Sequence, residues 1–335
     1  MNKILIIGPS WVGDMVMAQS LFIVLKQQQP DSLIDLLAPA WSLPLISRMP
    51  EVHSGIEMPV GHGQLNLKSR KQLAKKLQQK AYNQAIVLPN SAKSALIPFW
   101  AKIPHRIGWR GEMRYFLLND LRPLNKQIFT QTVQRFVALA YPKSHLIPAI
   151  PSPHLIVEPQ NVIEAVEKYQ LKTKKNILTL CPGAEFGEAK RWPTRYYAEL
   201  AKIYIEKGWQ VWLFGSAKDK MVCAEINQLN NNKIIDLSGK TALSEAIDLM
   251  SLSKAVVSND SGLMHIAAAL HLPVVAVYGS SDPNFTPPLN KQNKMLSLNL
   301  ACSPCFQRQC PKGHLNCLNQ LEVTRVTQAL DELMQ

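Results

Sequence analysis

The stretch ILIIGPSWVGDMVMAQ, residues 4–19, decides the fold of the amino-terminal half. Its first four residues are an apolar run of the kind found in a strand that is buried on both faces. Glycines at positions 8 and 13 bracket a tight turn, and an apolar segment of helical length then continues to Gln29. A buried strand that turns directly into a helix opens a βαβ unit, so the sequence predicts a parallel α/β sheet.

The same alternation of buried strands and helices runs along the rest of the chain. Short apolar runs are separated by longer segments with helical spacing, and the second half predicts five strands that alternate with four helices. Further predicted strands are LIDLLA at 33–38, AIVL at 85–88, NILTLCPG at 176–183, WQVWLFG at 209–215, IIDLSG at 234–239, KAVVSND at 254–260 and PVVAVYG at 273–279. We therefore expect two Rossmann-like, doubly wound domains that face a central cleft, the arrangement called GT-B.

A proline-rich stretch separates the two halves. Residues 141–160 carry prolines at 142, 148, 151, 153 and 159, so neither a long helix nor a central strand is expected there. The chain of 335 residues also exceeds the usual size of one domain. The sequence predicts a first domain at 1–150 and a second at 151–335. Residues 323–335 form an amphipathic pattern, and we expect this closing helix to pack back on the first domain.

Composition narrows the class of protein. Hydrophobic residues make up 47% and charged residues 18%, which is an ordinary globular balance. The amino terminus lacks the apolar run of a signal peptide, and no apolar stretch reaches the roughly 20 residues of a membrane span, so we expect a cytoplasmic protein. A net charge of +13 favours anionic partners. Residues 68–80 hold six basic and no acidic side chains, which a solvated helix face also explains.

Asp14 is the first candidate for chemistry. It ends the segment GPSWVGD, residues 8–14, which matches neither the dinucleotide fingerprint nor the P-loop. The turn places Asp14 near a helix start at the edge of the sheet where such folds bind ligands. From position alone, a helix-capping role is the simpler interpretation.

Two segments of the second half place polar side chains at the same kind of edge. CPGAEFGEAKRWP, residues 181–193, follows a predicted strand and carries Lys190 and Arg191, cations that suit a pyrophosphate. In VVSNDSGLMHIAAAL, residues 256–270, a strand leads into a helix whose free amides can hold phosphate oxygens. The side chains of interest in that segment are Asp260, Ser261, Gly262 and His265.

Together, ILIIGPSWVGDMVMAQ, PGAEFGEAKRWP and NDSGLMHIAAAL resemble the successive signatures of the ADP-heptose lipopolysaccharide heptosyltransferases, glycosyltransferase family 9, and most of all the second branch of that family. The resemblance implies an inverting transferase that moves heptose from ADP-heptose to the first heptose of the lipopolysaccharide inner core, on heptosyl-Kdo-lipid A. It further implies that Asp14 is the general base that deprotonates the acceptor hydroxyl.

The resemblance also assigns ligands to the two domains. The first domain would receive the acceptor, and the second would hold ADP-heptose through Lys190, Arg191 and the Asp260–His265 segment. No cofactor is expected for catalysis, because these cations replace a divalent metal and the chain has no Asp-x-Asp pair. Less specific expectations are adenosine contacts by Asp219, Thr241 and Leu243, and acceptor contacts by Arg106, Arg110 and Arg114.

Four cysteines near the carboxyl end form a separate cluster. Cys302, Cys305, Cys310 and Cys317 are spaced C-x2-C-x4-C-x6-C, which is compatible with a structural zinc site or with plain thiols in a reducing compartment. The cluster is distant in sequence from the motifs, which argues against a catalytic part.

Two alternatives stay open. A member of the same family that adds the first or a later heptose would share the donor site. A non-catalytic sugar-nucleotide or nucleic-acid binding protein would share the charge, although the 68–80 segment lacks the aromatic residues that interleave with basic ones in nucleic-acid modules. We expect no nucleic acid as partner, and a peripheral contact of the basic amino-terminal face with the inner membrane.

Overall fold

The computed structural model describes residues 2–61, 63–144 and 146–335. The chain divides into two compact units, Met1–Pro153 and His154–Gln335. Their boundary lies inside the proline-rich stretch. In the described part of residues 141–158 there is neither helix nor strand, since proline removes backbone donors and resists helical conformation.

The first unit is a six-stranded parallel sheet with helices. Its strands are β1 (Lys3–Ile7), β2 (Leu33–Ala38), β3 (Ser54–Glu57), β4 (Gln84–Val87), β5 (His105–Trp109) and β6 (Asp120–Arg122). Its helices are α1 (Val12–Gln28), α2 (Leu43–Ile46), α3 (Leu67–Gln78), α4 (Ala92–Trp100) and α5 (Thr132–Val137). The strand order is β3-β2-β1-β4-β5-β6, with Ile4 beside Ile34 on one flank and Gln84 on the other.

The second unit repeats this architecture. Its strands are β7 (Ile177–Cys181), β8 (Gln210–Leu213), β9 (Ile235–Asp236), β10 (Ala255–Asn259), β11 (Val274–Val277) and β12 (Asn293–Leu296). Its helices are α6 (Pro159–Lys168), α7 (Thr194–Glu206), α8 (Lys220–Leu229), α9 (Leu243–Met250), α10 (Gly262–Ala269), α11 (Asn316–Asn319) and α12 (Val323–Met334). The parallel order β12-β11-β10-β7-β8-β9 gives the same winding as in the first unit.

Strand order fixes where ligands bind. In both sheets the chain starts in the middle, moves to one side and then crosses to the other. The order reverses between β1 and β4 in the first unit and between β7 and β10 in the second. Loops that leave the carboxyl ends of these strands separate there and open a crevice, which is the usual ligand site of doubly wound sheets.

Each unit buries its own core. Leu5, Ile7 and Val87 pack with residues of α3 and α4 in the first unit. Leu180 and Val257 pack against α7 and α12 in the second. The apolar face of α12 lies on α7, β11 and β12 of its own unit, and its predicted packing on the first domain stays a prediction. No helix of the described part is both long enough and apolar enough to cross a membrane.

Candidate active site

Asp14 lies in the first turn of α1, directly after β1 and its turn. The helix begins at Val12 and the capping position is taken by Trp11, so Asp14 is not the capping residue that position alone suggested. A carboxylate in the first turn is stabilised by the helix dipole. The residue is half-buried, at the edge of the sheet where β1 and β4 diverge.

A cavity of about 280 Å³ within the first unit has Asp14 in its wall. The loops after β1, β4 and β6, the last residue of β5 and the helix α5 line it. Trp11 and Trp109 supply aromatic surface, while Asn90 and Arg135 add polar groups. A carboxylate in such a concave pocket is placed to accept a proton from a bound hydroxyl group.

Lys190 and Asp260 form an ion pair in the second unit. Lys190 closes the short 3₁₀ turn Glu188–Lys190 after β7, and the buried Asp260 follows β10 directly. The ammonium of Lys190 also lies 5.1 Å from the ring centre of Phe186. Because β7 and β10 flank the point where strand order reverses, the pair marks the ligand crevice of this sheet.

Asn259 holds the two loops of this crevice together. Its side chain is buried, and its Oδ1 accepts hydrogen bonds from the backbone amide of Trp192 and the hydroxyl of Tyr197, both at 3.0 Å. Its Nδ2 donates to the carbonyl of Pro182 at 2.6 Å. The sequence pattern predicts Asn259 only as the end of a strand. The hydrogen-bond partners of its side-chain amide lie 62 to 77 residues away in sequence, so no local sequence pattern predicts them.

The start of α10 offers backbone donors beside the ion pair. Ser261 occupies the capping position, but its side chain does not cap the helix, and its hydroxyl lies 3.1 Å from that of Ser258. The first amides of the helix, from Gly262 onward, therefore keep the geometry that suits phosphate oxygens.

His265 lies one turn into α10 and is buried. Burial lowers the pKa of its imidazole to about 4, with Asp260 acting in the opposite direction and Lys190 lowering the pKa further. The ring is therefore neutral at pH 7. It contributes an imidazole that can hydrogen-bond, and the positive charge of the site comes from Lys190.

The loop after β8 meets the loop after β7 through Asp219. Both the amide and the hydroxyl of Ser216 donate to the Asp219 carboxylate at 2.8 Å, and Arg191 Nη2 lies 3.9 Å from its other oxygen. A Cβ on Gly183 would come within 2.4 Å of this carboxylate, so the two loops are in close contact. Asp219 thus stabilises the loop after β8 through these contacts. Its predicted contact with the ribose stays a prediction.

Thr241 and Leu243 lie at the next loop along the same edge. Leu243 is the first residue of α9, which follows β9, and both side chains belong to half-buried residues. Their predicted contact with adenosine is not tested by the fold.

Three buried polar atoms around the Glu188–Lys190 turn have no hydrogen-bond partner in the described part of the chain: Arg191 Nε, Ser280 Oγ and Ser281 Oγ. Ser280 is tied to this turn, because its amide donates to the carbonyl of Ala189 at 3.0 Å. Buried polar groups are almost always paired, so unpaired ones at a sheet edge are the groups that a bound polar ligand satisfies.

The three arginines predicted at the acceptor side differ in exposure. Arg114 is fully buried, and its guanidinium donates to backbone carbonyls that include Pro89 at 2.7 Å, so its charge is used inside the protein. Arg106 is half-buried and donates to the carbonyls of Ile103 and Leu117. Arg110 is exposed at the end of β5. Burial at Arg114 corrects the expectation that all three arginines point to a ligand.

The four clustered cysteines are free thiols. Burial raises the pKa of Cys317, and the neighbouring thiols of Cys310, Cys302 and Cys305 raise it further. Backbone amides, the one of Leu315 first, lower the pKa of Cys310. Over residues 2–61, 63–144 and 146–335, no three His, Cys, Asp or Glu side chains are arranged to hold a metal ion. The zinc hypothesis stays a prediction.

Known proteins are similar to this chain in sequence and in fold. The sequence profile of glycosyltransferase family 9 (heptosyltransferase) matches residues 70–316. Two parallel sheets of this winding form the GT-B architecture of glycosyltransferases. The chain belongs to glycosyltransferase family 9, the heptosyltransferases, which confirms the family and fold predicted from the motifs.

Individual relatives are similar over nearly the whole chain. Lipopolysaccharide heptosyltransferase 2 of Escherichia coli K12 is 47% identical, with 99% of this chain and 98% of that protein covered. Lipooligosaccharide heptosyltransferase 2 of Haemophilus influenzae is 52% identical over 88% of each chain. The structure of E. coli ADP-heptose LPS heptosyltransferase II superposes with a TM-score of 0.88 at 44% identity, over 100% of this chain and 98% of that one.

Proposed function

We propose that the protein transfers heptose from ADP-heptose to the first heptose of the lipopolysaccharide inner core. The observation that carries this proposal is the full-length similarity to heptosyltransferases 2, together with the Lys190–Asp260 pair at the strand crossover of the second sheet. A cation beside the free amides of a helix start suits the diphosphate of a sugar nucleotide.

Asp14 is proposed as the general base. The acceptor hydroxyl would bind in the cavity of the first unit, and the Asp14 carboxylate takes its proton as the oxygen attacks the anomeric carbon of the donor. Attack on the face opposite ADP inverts the configuration at that carbon and needs no covalent glycosyl-enzyme.

The second unit is proposed to stabilise the leaving group. ADP gains negative charge as the glycosidic bond breaks, and Lys190 and the first amides of α10 are donors aimed at one crevice. The unpartnered Arg191 Nε and Ser280 hydroxyl supply further donors there. Asp260 accepts from Lys190 and fixes its position.

We further propose that these fixed donors make a catalytic metal unnecessary. Turnover by purified protein is expected to survive EDTA, and metal analysis of the same sample tests separately whether the Cys302–Cys317 segment carries zinc. Loss of turnover in EDTA that only added Mg²⁺ restores would contradict the metal-free proposal.

The acceptor class implies a place of action. Heptosyl-Kdo-lipid A is anchored in a membrane by its acyl chains, so we propose that the enzyme works in the cytoplasm at the inner face of the inner membrane. The charge of +13 and the basic helix α3 suit an anionic lipid surface.

The test is transfer from ADP-heptose to three acceptors, with no heptose, one heptose or two heptoses on Kdo-lipid A. We expect elongation of the acceptor that carries one heptose. Elongation confined to either of the other acceptors would assign the chain to another branch of the family. ADP-heptose binding without any transfer would support the non-catalytic alternative.

A further inference from the structure

A loop after β5 exposes large apolar side chains to solvent. Residues 110–117 form this segment, the 110–117 loop. In it, Met113 is 89% exposed, Phe116 is 90% exposed and Tyr115 is 57% exposed. Single exposed apolar residues are common on protein surfaces, but three within four positions form a patch that usually serves binding.

The protein holds this loop in place from inside. Buried Arg114 donates to the carbonyls of Trp109 and Pro89 and to Asn90 Oδ1. The Glu112 carboxylate accepts the backbone amide of Ala92 at 2.8 Å. The side chains on either side of Arg114 therefore project from an anchored backbone.

A second apolar segment flanks the same point. Leu65 is 52% exposed and Leu67 is 49% exposed, at the start of α3. Arg70 of that helix donates to the carbonyl of Lys93 at 3.4 Å, one residue beyond the amide that Glu112 caps. The 110–117 loop and the start of α3 thus border the first turn of α4 together.

The same segments carry exposed cations. Lys68 and Lys71 are exposed on α3, Arg110 is exposed at the start of the 110–117 loop, and Lys93 is half-buried in the first turn of α4. Glu112 is the acidic residue of the loop, and its carboxylate is bound to the amide of Ala92. Apolar and aromatic residues beside lysine and arginine are the composition of surfaces that enter an anionic bilayer interface. We propose that the 110–117 loop and the start of α3, together the docking patch, insert into an anionic lipid bilayer.

The charges favour lipid over a second copy of the chain. A symmetric dimer through the docking patch would bring the lysines of both copies against each other, which disfavours the contact. An anionic bilayer pairs those cations and buries the apolar side chains in one step. The inference rests on the proposed function only in that a membrane-anchored acceptor requires such docking.

The test measures vesicle binding of the full chain. Vesicles of phosphatidylethanolamine and phosphatidylglycerol, without acceptor, are sedimented with the wild type, with Met113→Ser/Phe116→Ser, and with the control Met221→Ser/Leu229→Ser. The control removes two apolar residues of α8 that are 85% and 58% exposed. We expect the docking-patch variant to bind about tenfold more weakly and the control to bind like the wild type. Equal binding by all three proteins would overturn the proposal.

Turnover separates docking from other roles of the patch. With an acyl-free, water-soluble acceptor, the docking-patch variant should turn over within about twofold of the wild type, since its catalytic groups are intact. An equal loss with this acceptor would show that the loop binds acceptor sugars and would overturn the docking proposal. A wild type that binds vesicles but transfers no heptose to any acceptor would instead contradict the proposed function alone.

Discussion

Asn259 and Lys190 are two central residues of the crevice that is proposed to bind the donor. Asn259 joins the loops after β7 and β10 through a buried amide, and Lys190 places a cation on that joint. Asn259 sets the positions of the two loops, and Lys190 supplies a positive charge. Replacing either is therefore expected to give a different signature in binding and stability measurements.

Asn259→Ala should lower the free energy of unfolding by about 2–4 kcal/mol, because its partners lose their hydrogen bonds inside the protein. Donor affinity should fall as well, since the loops lose their joint. Asn230→Ala is the matched control, because that buried amide donates to Ala198 and Ile226 away from the crevice. Urea unfolding and calorimetric titration of ADP-heptose measure both effects. Unchanged donor affinity in Asn259→Ala would contradict its positioning role.

Lys190→Ala should weaken ADP-heptose binding and turnover together, each by roughly 10–100-fold, because the cation is proposed to contact the diphosphate in both the ground and the transition state. Stability should also fall, since Asp260 is left as a buried charge without its partner. The control Lys294→Ala removes a surface ion pair with Glu332. The control should bind and turn over like the wild type, and wild-type donor affinity and turnover in Lys190→Ala would contradict its assignment to the site.

His265 predicts how stability depends on pH. Its folded-state pKa of about 4 lies below the ordinary value of 6.5, so the unfolded chain binds the proton more tightly. The stabilising contribution is complete above pH 6.5 and is lost as pH falls toward 4. Urea midpoints of wild type and His265→Gln between pH 7.5 and 4.5 measure this, and the difference between the two should depend on pH. If the urea midpoints of the two proteins changed with pH in parallel, this would show that His265 does not titrate as described.

At the scale of elements, the sequence predicts most of the central strands and misses three of the four edge strands. β1, β2, β7 and β10 are apolar runs because both of their faces are buried. β3 and β12 are polar segments, SGIE and NKML, since edge positions leave side chains in solvent. Strand pairing at an edge depends on neighbours that are distant in sequence, and no local pattern encodes it.

The candidate site follows the same division. The positions of Asp14, Lys190 and Asp260 at the ligand edge were predictable because each follows a central strand, while their roles stay predictions. Arg114 lies in a loop, where the sequence predicts that a charged side chain contacts a ligand. Its side chain is instead buried and donates to backbone carbonyls. The partners of Arg114 and Asn259 are set by tertiary packing, which the sequence does not display locally.

Gly183→Ala tests the contact between the loops after β7 and β8. The new Cβ would lie 2.4 Å from the Asp219 carboxylate, so the loops must move apart. We expect weaker binding of both ADP and ADP-heptose, because the loops frame the crevice, with a smaller effect on the unfolding midpoint. Titration with ADP and with ADP-heptose measures the two affinities. Wild-type affinity in this variant would mean that the two loops move apart without weakening nucleotide binding.

The whole molecule consists of two units with separate cores. The first unit holds a carboxylate in a cavity, and the second holds cations and helix amides at its strand crossover. Because the proposed base and the proposed donor site belong to different units, we predict that chemistry and donor binding can be damaged independently.

Asp14→Asn is the most direct test of this account, because it removes the base while keeping the size and shape of the side chain. Measured beside the wild type and the exposed control Asp31→Asn, it should lower turnover by about 10²–10⁴-fold and leave the dissociation constant of ADP-heptose within about twofold. Asp14→Asn that retains more than roughly a tenth of wild-type turnover would contradict the assignment of Asp14 as the base.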